Sequence, residues 1–355
     1  MPLVGLEIDQ FRCLERVELA LHPRYNLFVG VNASGKTSLL EASFFLGRGR
    51  SFRTRRLDRL VRHGQSEFRL VGRVQRAGIV TVLGIAGTRH GTEVRIGGAP
   101  AAGVAQLAEH LPAHVIDPEV HKLLEEGPGR RRRFLDWGVF HVEQSFLGTW
   151  QRYHRALRQR NSSLRGARDD RLARAWDPEV VAAGEALLAM RTDYLRLLEP
   201  ELAELGRELL GLEVALVHHA GWPAGTPLQA ALEASSDRDR RFGVTHVGPH
   251  RADIVVQVEG LAARERVSRG QQKLLAAALV LAQIRVQEQQ APGRAVLLLD
   301  DPAAELDSGS LERLLAVVRR VPAQLFVTAL RPELAALGAP GRTFHVEQGR
   351  IAPQE

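Results

Sequence analysis

Eight residues, Gly30-Val31-Asn32-Ala33-Ser34-Gly35-Lys36-Thr37, fit the pattern G-x-x-x-x-G-K-[ST]. Their types suit the holding of a polyphosphate. Glycines let backbone N–H groups close around phosphate oxygens, a lysine ammonium reaches the terminal phosphates, and a threonine hydroxyl can ligate Mg²⁺. The flanking sequence fits as well. Residues 25–29 read as a short apolar strand, and residues 38–46 as a helix with an apolar face. A loop between strand and helix start sets the positive end of the helix against the anion. A chance Gly-Lys-Thr in a surface turn would have neither neighbour. The cofactor-contact candidates are therefore Gly30, Val31, Asn32, Ala33, Ser34, Gly35, Lys36, Thr37 and Ser38. Of 48 Lys+Arg, only Lys36, Lys122 and Lys273 are lysine. A lysine in this loop, in a chain that otherwise uses arginine, marks a place where a planar guanidinium is a poor substitute for a compact ammonium.

A second set of acids lies far along the chain. Residues 296–299 are four apolar residues, followed by Asp300 and Asp301. An apolar strand ending in an acid is a Walker B pattern. Asp300 would hold Mg²⁺ beside Thr37, and Asp301 would orient the attacking water, which makes it the catalytic candidate. The plainer alternative is a strand that ends in two solvated aspartates. Between the two motifs stands Ser268-Arg-Gly-Gln-Gln-Lys273, directly before a long apolar helix. A serine hydroxyl, glycine N–H groups and a helix N-terminus make a second phosphate cradle. Its contacts would be Ser268, Gly270 and Gln271, and the pattern resembles the signature motif of ATP-binding-cassette ATPases. After Asp301, a Glu-Leu-Asp run ends at Asp307, as in a D-loop. Each short pattern alone is common, and the order of all four is far more specific.

The elements that must position these residues follow from periodicity. Residues 3–9 and 15–21 alternate apolar and polar positions, an antiparallel hairpin ahead of the loop's strand. Residues 67–74, 79–85 and 92–96 read as a meander. Near residue 120 the character changes. Apolar residues at 135, 139, 142, 146, 150, 153 and 157 form one helical face. A polar break over 166–170 follows, then Asp177 as N-cap before Pro178, and a second stripe from Leu187 to Leu212 that Pro200 should kink or interrupt. Strand character returns near 253, with a helix at 271–287, a strand at 295–299, a helix at 311–319, a strand at 324–328 and a closing hairpin. The fold class is α/β: a P-loop ATPase domain in two parts, residues 1–120 and 241–355, with a mainly helical lobe inserted at 121–240.

Composition bounds the class. The 355 residues are 45% hydrophobic and 25% charged, the balance of a globular protein. The single cysteine, Cys13, excludes an internal disulfide and any Cys-based zinc site. The first residues lack a basic region followed by an apolar run, so no signal peptide is expected. No run approaches ~18 apolar residues, so no membrane span is expected. The low cysteine count fits a reducing cytosol. The net charge of +7 permits an anionic partner such as nucleic acid.

Taken together, these residues resemble the RecF family, repair relatives of the SMC-type ATPase heads. Phe11-Arg12, Gly30–Thr37, residues 49–53, 131–136, 159–161 and 248–251, Ser268–Lys273 and Asp300–Asp307 stand in that family's order, over nearly the whole chain. The resemblance implies a cytoplasmic location and an ABC/SMC-like fold that binds ATP and Mg²⁺ and hydrolyses ATP slowly. It implies a head-to-head, ATP-dependent homodimer in which Ser268 and Gly270 of one subunit meet the ATP of the other, with Asp307 at the interface. It also implies DNA replication, repair and SOS-response roles, with binding of single-stranded and duplex DNA at gaps and junctions without regard to sequence, and RecA loading with RecR and RecO. Thr328 occupies the strand end where transporters carry a histidine, which suits slow hydrolysis.

Arg53, Arg55, Arg56, Arg131 and Arg132 are the candidate DNA contacts, since clustered arginines suit phosphates. A solvated arginine-rich surface is the alternative at each. With 5% aromatic residues, base-stacking platforms are not expected. Two other functions compete. A transporter nucleotide-binding subunit would need the switch histidine, and an SMC-like chromosome head would need sustained heptads for a long arm.

Overall fold

The computed structural model describes residues 2–166, 171–304, 306–331 and 334–354 of the 355. Residues 167–170 of the expected polar break, and Glu305 of the Glu-Leu-Asp run, lie outside the described residues. The chain opens with β1 (Leu3–Phe11), β2 (Leu14–Ala20), β3 (Tyr25–Val29) and α1 (Lys36–Arg48). Then come β4 (Glu67–Arg76), β5 (Ile79–Thr88), β6 (Gly91–Ile96), β7 (Ala99–Pro100), α2 (Val104–His110) and β8 (Ala113–Ile116). The middle holds α3 (Lys122–Glu125), α4 (Pro128–Val142), α5 (Phe146–Gly166), α6 (Arg171–Arg174), α7 (Asp177–Leu210), β9 (Val214–His219) and α8 (Leu228–Phe242). It continues through β10 (Asp253–Val258), β11 (Leu261–Ala262), α9 (Ala263–Arg266) and α10 (Arg269–Gln290). The last elements are β12 (Val296–Leu299), α11 (Ser308–Arg320), β13 (Gln324–Ala329), β14 (Arg342–Glu347) and β15 (Arg350–Gln354).

Two compact units result. Unit 1 comprises Met1–His121 and Lys273–Glu355, and unit 2 comprises Lys122–Gln272. In unit 1 an antiparallel sheet runs β2-β1-β4-β5-β6-β7, and a mainly parallel sheet runs β15-β14-β3-β13-β12-β8. Every residue of β3, β12 and β13 is buried, as expected of strands covered on both faces. Helix α1 touches strands of both sheets and is buried from Ser38 to Gly47. Around it Phe11, Phe45 and Phe68 pack edge to face, with centroids 5.1 Å apart for Phe11–Phe68 and 5.3 Å for Phe45–Phe68. The phosphate-loop helix thus starts from a fixed position.

Unit 2 departs from the sequence reading in four respects. The first apolar stripe is two helices, α4 and α5. The Glu143 carboxylate accepts from Ser145 N at 2.9 Å and Ser145 Oγ at 2.8 Å, local bonds that compete with helix continuation. Helix α7 continues through Pro200 over 34 residues. Pro200 is exposed, while Leu187, Tyr194, Leu198, Leu202, Leu205 and Leu209 are all buried, so packing outweighs one lost backbone bond. Asp177 is the first helical residue rather than the cap, and its carboxylate accepts from Arg160 Nε at 2.7 Å. Finally, residues 241–272 group with this unit and not with the ATPase part. Strand β10 pairs with β9 from Asp253↔His219 to Val258↔Val214, a long-range pairing that local periodicity does not reveal.

Arginines cross-link unit 2 internally. Arg160 donates through Nη1 to Asp239 at 2.7 Å and to Thr245 Oγ1 at 2.8 Å. Asn161 Oδ1 accepts from Thr245 N at 2.8 Å. Arg191 bonds Asp136 Oδ1 and the Pro249 carbonyl, both at 2.8 Å. Segments 131–136, 159–161 and 248–251, which carried part of the resemblance, therefore meet as the interior scaffold of one unit.

Candidate functional site

The phosphate loop is shaped from three sides, all within unit 1. Strand β3 lies between β13 and β14, parallel to both. Gly30 N donates to Ala329 O at 3.2 Å, and a Cβ on Gly30 would come within 2.1 Å of Val346 O, so no larger residue fits. Gly35, at φ 117°, faces Leu14, Cys13 and Gly349, and Gly349 N donates to Ser34 O at 2.8 Å. The loop is thus held between the β1–β2 turn and the β14–β15 turn.

Its polar groups are in part satisfied by the loop itself and in part without a partner among the described residues. Helix α1 has no side-chain cap and no acid in its first turn. Its N-terminal N–H groups are therefore open to an anion. The Ser34 hydroxyl is buried without a hydrogen-bond partner among the described residues. Lys36, 6% exposed, donates from Nζ to Gly30 O at 2.6 Å and Val31 O at 2.9 Å. Burial lowers its pKa, and the charges of Asp301 and Asp300 oppose that shift. Those carbonyls hold the ammonium at the loop mouth, where phosphate oxygens are stronger acceptors.

The acids arrive on β12. Thr37 Oγ1 donates to Asp300 Oδ2 at 2.9 Å, and Thr328 Oγ1 donates to Asp300 Oδ1 at 2.8 Å. Burial raises the Asp300 pKa. Bonds from Thr328 and Thr37 counter it, the Asp301 charge adds to it, and the Arg53 charge opposes it. Asp301, at φ 43°, is held by Thr328 Oγ1, which accepts from its backbone N at 2.9 Å. Thr328 therefore brackets both acids from the neighbouring strand. The sequence reading treated it as a missing histidine. The signal was present in its place at the end of a buried strand beside the acid strand. A cavity of ≈ 30 Å³ beside the acids is also lined by Asp117 and Lys273.

The hydroxyl of Thr37 and the carboxylate of Asp300 are hard oxygen donors that suit Mg²⁺. Among the described residues no cluster of three or more His, Cys, Asp or Glu could hold a metal ion. A cation here would complete its shell from phosphate and water, as Mg²⁺ commonly does.

The remaining expected residues fall elsewhere. Ser268, Gly270 and Gln271 belong to unit 2, where Ser268 N donates to Gln271 Oε1 at 3.0 Å and Gln271 N to Ser268 Oγ at 3.4 Å, a reciprocal cap. Asp307 caps α11, accepting from Ser310 N at 2.9 Å, and bonds to Ser310 lower its pKa. Arg55 and Arg56 are exposed, and Arg56 pairs with Asp58. Arg131 is spent inside unit 2, with Nε and Nη2 on the Asp253 carboxylate at 2.8 Å each, and Arg132 Nη1 donates to Ala252 O at 2.7 Å. Arg53 is exposed and lies 3.5 Å from the buried carboxylate of Glu41. Glu41 and Arg12, which bonds it at 2.7 and 2.9 Å, were not among the site candidates.

Comparison with known proteins matches the whole chain. Residues 2–350 fit the family model described as the RecF/RecN/SMC N terminal domain. The DNA replication and repair protein RecF of Pseudomonas paraeruginosa is 41% identical, over 99% of this chain and 98% of the relative. That of Pectobacterium atrosepticum is 40% identical, over 100% and 99%. Among solved structures, the recombination mediator protein RecF with ATP superimposes with a TM-score of 0.90 at 25% identity, covering 100% of this chain and 98% of that one. An SMC head bound to the C-terminal winged-helix domain of ScpA gives 0.61 at 15% identity, covering 100% and 98%, a likeness of fold alone. With matches that run the length of the chain at this identity, the protein belongs to the RecF family.

Proposed function

We propose that this chain is an ATP-dependent DNA-binding protein of replication and recombinational repair. The observation that carries the reading is the Lys36–Thr37–Asp300–Thr328 constellation in a chain 41% identical along its length to a DNA replication and repair protein RecF. Gly30 to Ser38 hold the triphosphate, with Lys36 moving from its loop carbonyls to the terminal phosphates. Thr37 and Asp300 hold Mg²⁺, which neutralises phosphate charge. Asp301 orients the attacking water, and Thr328 fixes the backbone that carries it.

Hydrolysis is slow and serves as a switch. Ser268, Gly270 and Gln271 of a second copy meet the same triphosphate, so ATP joins two chains and hydrolysis releases them. Asp307 lies at that junction while capping its helix. The energy for the switch is the difference in contacts between the two states. DNA of either form, at gaps and junctions, is bound through phosphates. Arg55 and Arg56 are the better candidates, because Arg131 and Arg132 are committed within unit 2. RecO and RecR remain the proposed partners, in keeping with the RecFOR pathway named for the solved relative. The insert is unit 2 as described, with the ATPase part on either side of it.

No helix among the described residues is long and apolar enough to cross a membrane. A cytoplasmic site of action is part of the proposal. Sedimentation with and without ATP, alongside binding to duplex, single-stranded and gapped DNA, tests the reading. Association and DNA binding that both ignore ATP would refute it.

A further inference from the structure

Glu41 is fully buried in α1, one helical turn beyond Thr37, within a stretch that is buried from Ser38 to Gly47. A carboxylate in such a place must be paired. Three groups pair it. Arg12 binds both oxygens, Nε at 2.9 Å and Nη2 at 2.7 Å. The Ser51 hydroxyl donates to Oε1, and Arg53 Nη1 lies 3.5 Å from Oε2.

Each partner leads back to the phosphate loop. Arg12 sits at φ 56° in the β1–β2 turn, whose next residue, Cys13, lies 3.5 Å from Ser38 Oγ and against Gly35. Ser51 Oγ also accepts from the backbone N of Arg53 at 2.9 Å and of Thr54 at 3.0 Å, fixing the turn that presents Arg53. The Arg53 side chain is 47% exposed, and its charge reaches Asp300. The two arginines are held differently, Arg12 by a two-point fork and Arg53 by one long contact.

We infer that Glu41 is a positioning residue for the nucleotide site: it locks the turn behind Gly35 through Arg12 and holds Arg53 against the turn of α1 that follows Thr37, the threonine bonded to Asp300, where the charge of a triphosphate exceeds that of a diphosphate. The inference rests on the ATP-binding reading and deepens it. Glu41 touches no nucleotide. It makes the site prefer ATP to ADP by aiming a guanidinium at the end where the two differ.

The test measures ATP and ADP affinities of the parent, Glu41→Gln, Ser51→Ala, Arg53→Ala and the Glu41→Gln/Arg53→Ala double variant. Glu41→Gln and Arg53→Ala should each weaken ATP about tenfold and ADP by less than about threefold, the scale of one charge-assisted contact. The double variant should lose little more of the preference for ATP over ADP than either single one, because that preference runs through one guanidinium, while any loss through Arg12 falls on both nucleotides alike. A purely structural Glu41 would weaken ATP and ADP equally and add to Arg53→Ala, and that result overturns the inference. Should Glu41→Gln fail to fold, Ser51→Ala decides. A selective loss of ATP affinity supports the inference, and an unchanged ATP/ADP ratio overturns it. A parent that binds neither nucleotide removes the ATP reading and this inference together, whereas a parent that binds ATP with an unchanged ratio in every variant removes only the inference.

Discussion

Buried arginines of unit 2 and the exposed arginines that follow α1 in unit 1 stand in opposite settings. Arg160 and Arg191 are each 3% exposed in their side chains, and both are saturated by carboxylates, hydroxyls or carbonyls of their own unit. Arg55 and Arg56 are exposed, and Arg53 is held by one long contact. A buried guanidinium with its donors satisfied is structure, and removing its partners is costly. A half-exposed guanidinium beside an acid or an anion site can still exchange partners. The difference shows that clustering in sequence does not separate structural arginines from exposed ones. Burial and the local supply of acceptors do.

The contrast can be broken most forcefully in unit 2. Arg160→Met should destabilise it by roughly 3–5 kcal/mol, because Asp239 and Asp177 lose their partner, and chemical denaturation would read the loss. A loss below about 1 kcal/mol would mean that Arg160 is no scaffold. Next in size is Lys36→Ala, which should weaken ATP binding about a hundredfold, ~2.7 kcal/mol, and abolish ATP-dependent dimerisation while the melting temperature holds. Unchanged sedimentation in ATP would count against the phosphate loop. Asp301→Asn should leave ATP binding intact and slow turnover by about tenfold to a hundredfold, the range for a water-orienting group, as single-turnover hydrolysis can show.

A smaller effect concerns acid. His250 bonds Tyr153 OH at 2.7 Å and the Thr245 carbonyl at 2.9 Å, and burial pushes its pKa down to about 4. The unfolded chain takes up that proton near pH ~6.5, so stability is full above it and falls as pH drops toward 4, by at most ~1.4 kcal/mol per pH unit. His250→Gln should flatten this limb of the unfolding curve, and an unchanged limb would assign it elsewhere. The smallest change is Arg55→Ala, a few-fold weaker DNA binding with a shallower salt slope, which gel shifts at several salt concentrations would register.

Much of the candidate site's local geometry could be read from the chain because its parts are local. A strand, a glycine-bounded loop and a helix start occupy residues 25–48, and an apolar run ends in two acids at 300 and 301. What escaped depends on distant pairing. Thr328 acts only because β13 lies beside β12, in register Leu299↔Val327. Glu41 gains its meaning from a turn at Arg12 and another at Ser51. The compact unit runs on to Gln272, beyond the 240 read from periodicity, because β10 pairs with β9 and not with the strands that follow it. Arg131 reads as a phosphate contact until Asp253 is folded against it.

The placing of β3 bears on how the protein is made. Its neighbours on both sides begin only at Gln324 and Arg342, and Leu3 N is bound to Gln324 Oε1 across 321 residues. A nascent chain emerging from the ribosome therefore displays the phosphate loop's sequence long before the strands that shape it exist. High contact order of this kind delays folding and leaves apolar strands waiting. Competence for nucleotide should thus appear late and abruptly during synthesis, so that a partly made chain cannot bind ATP.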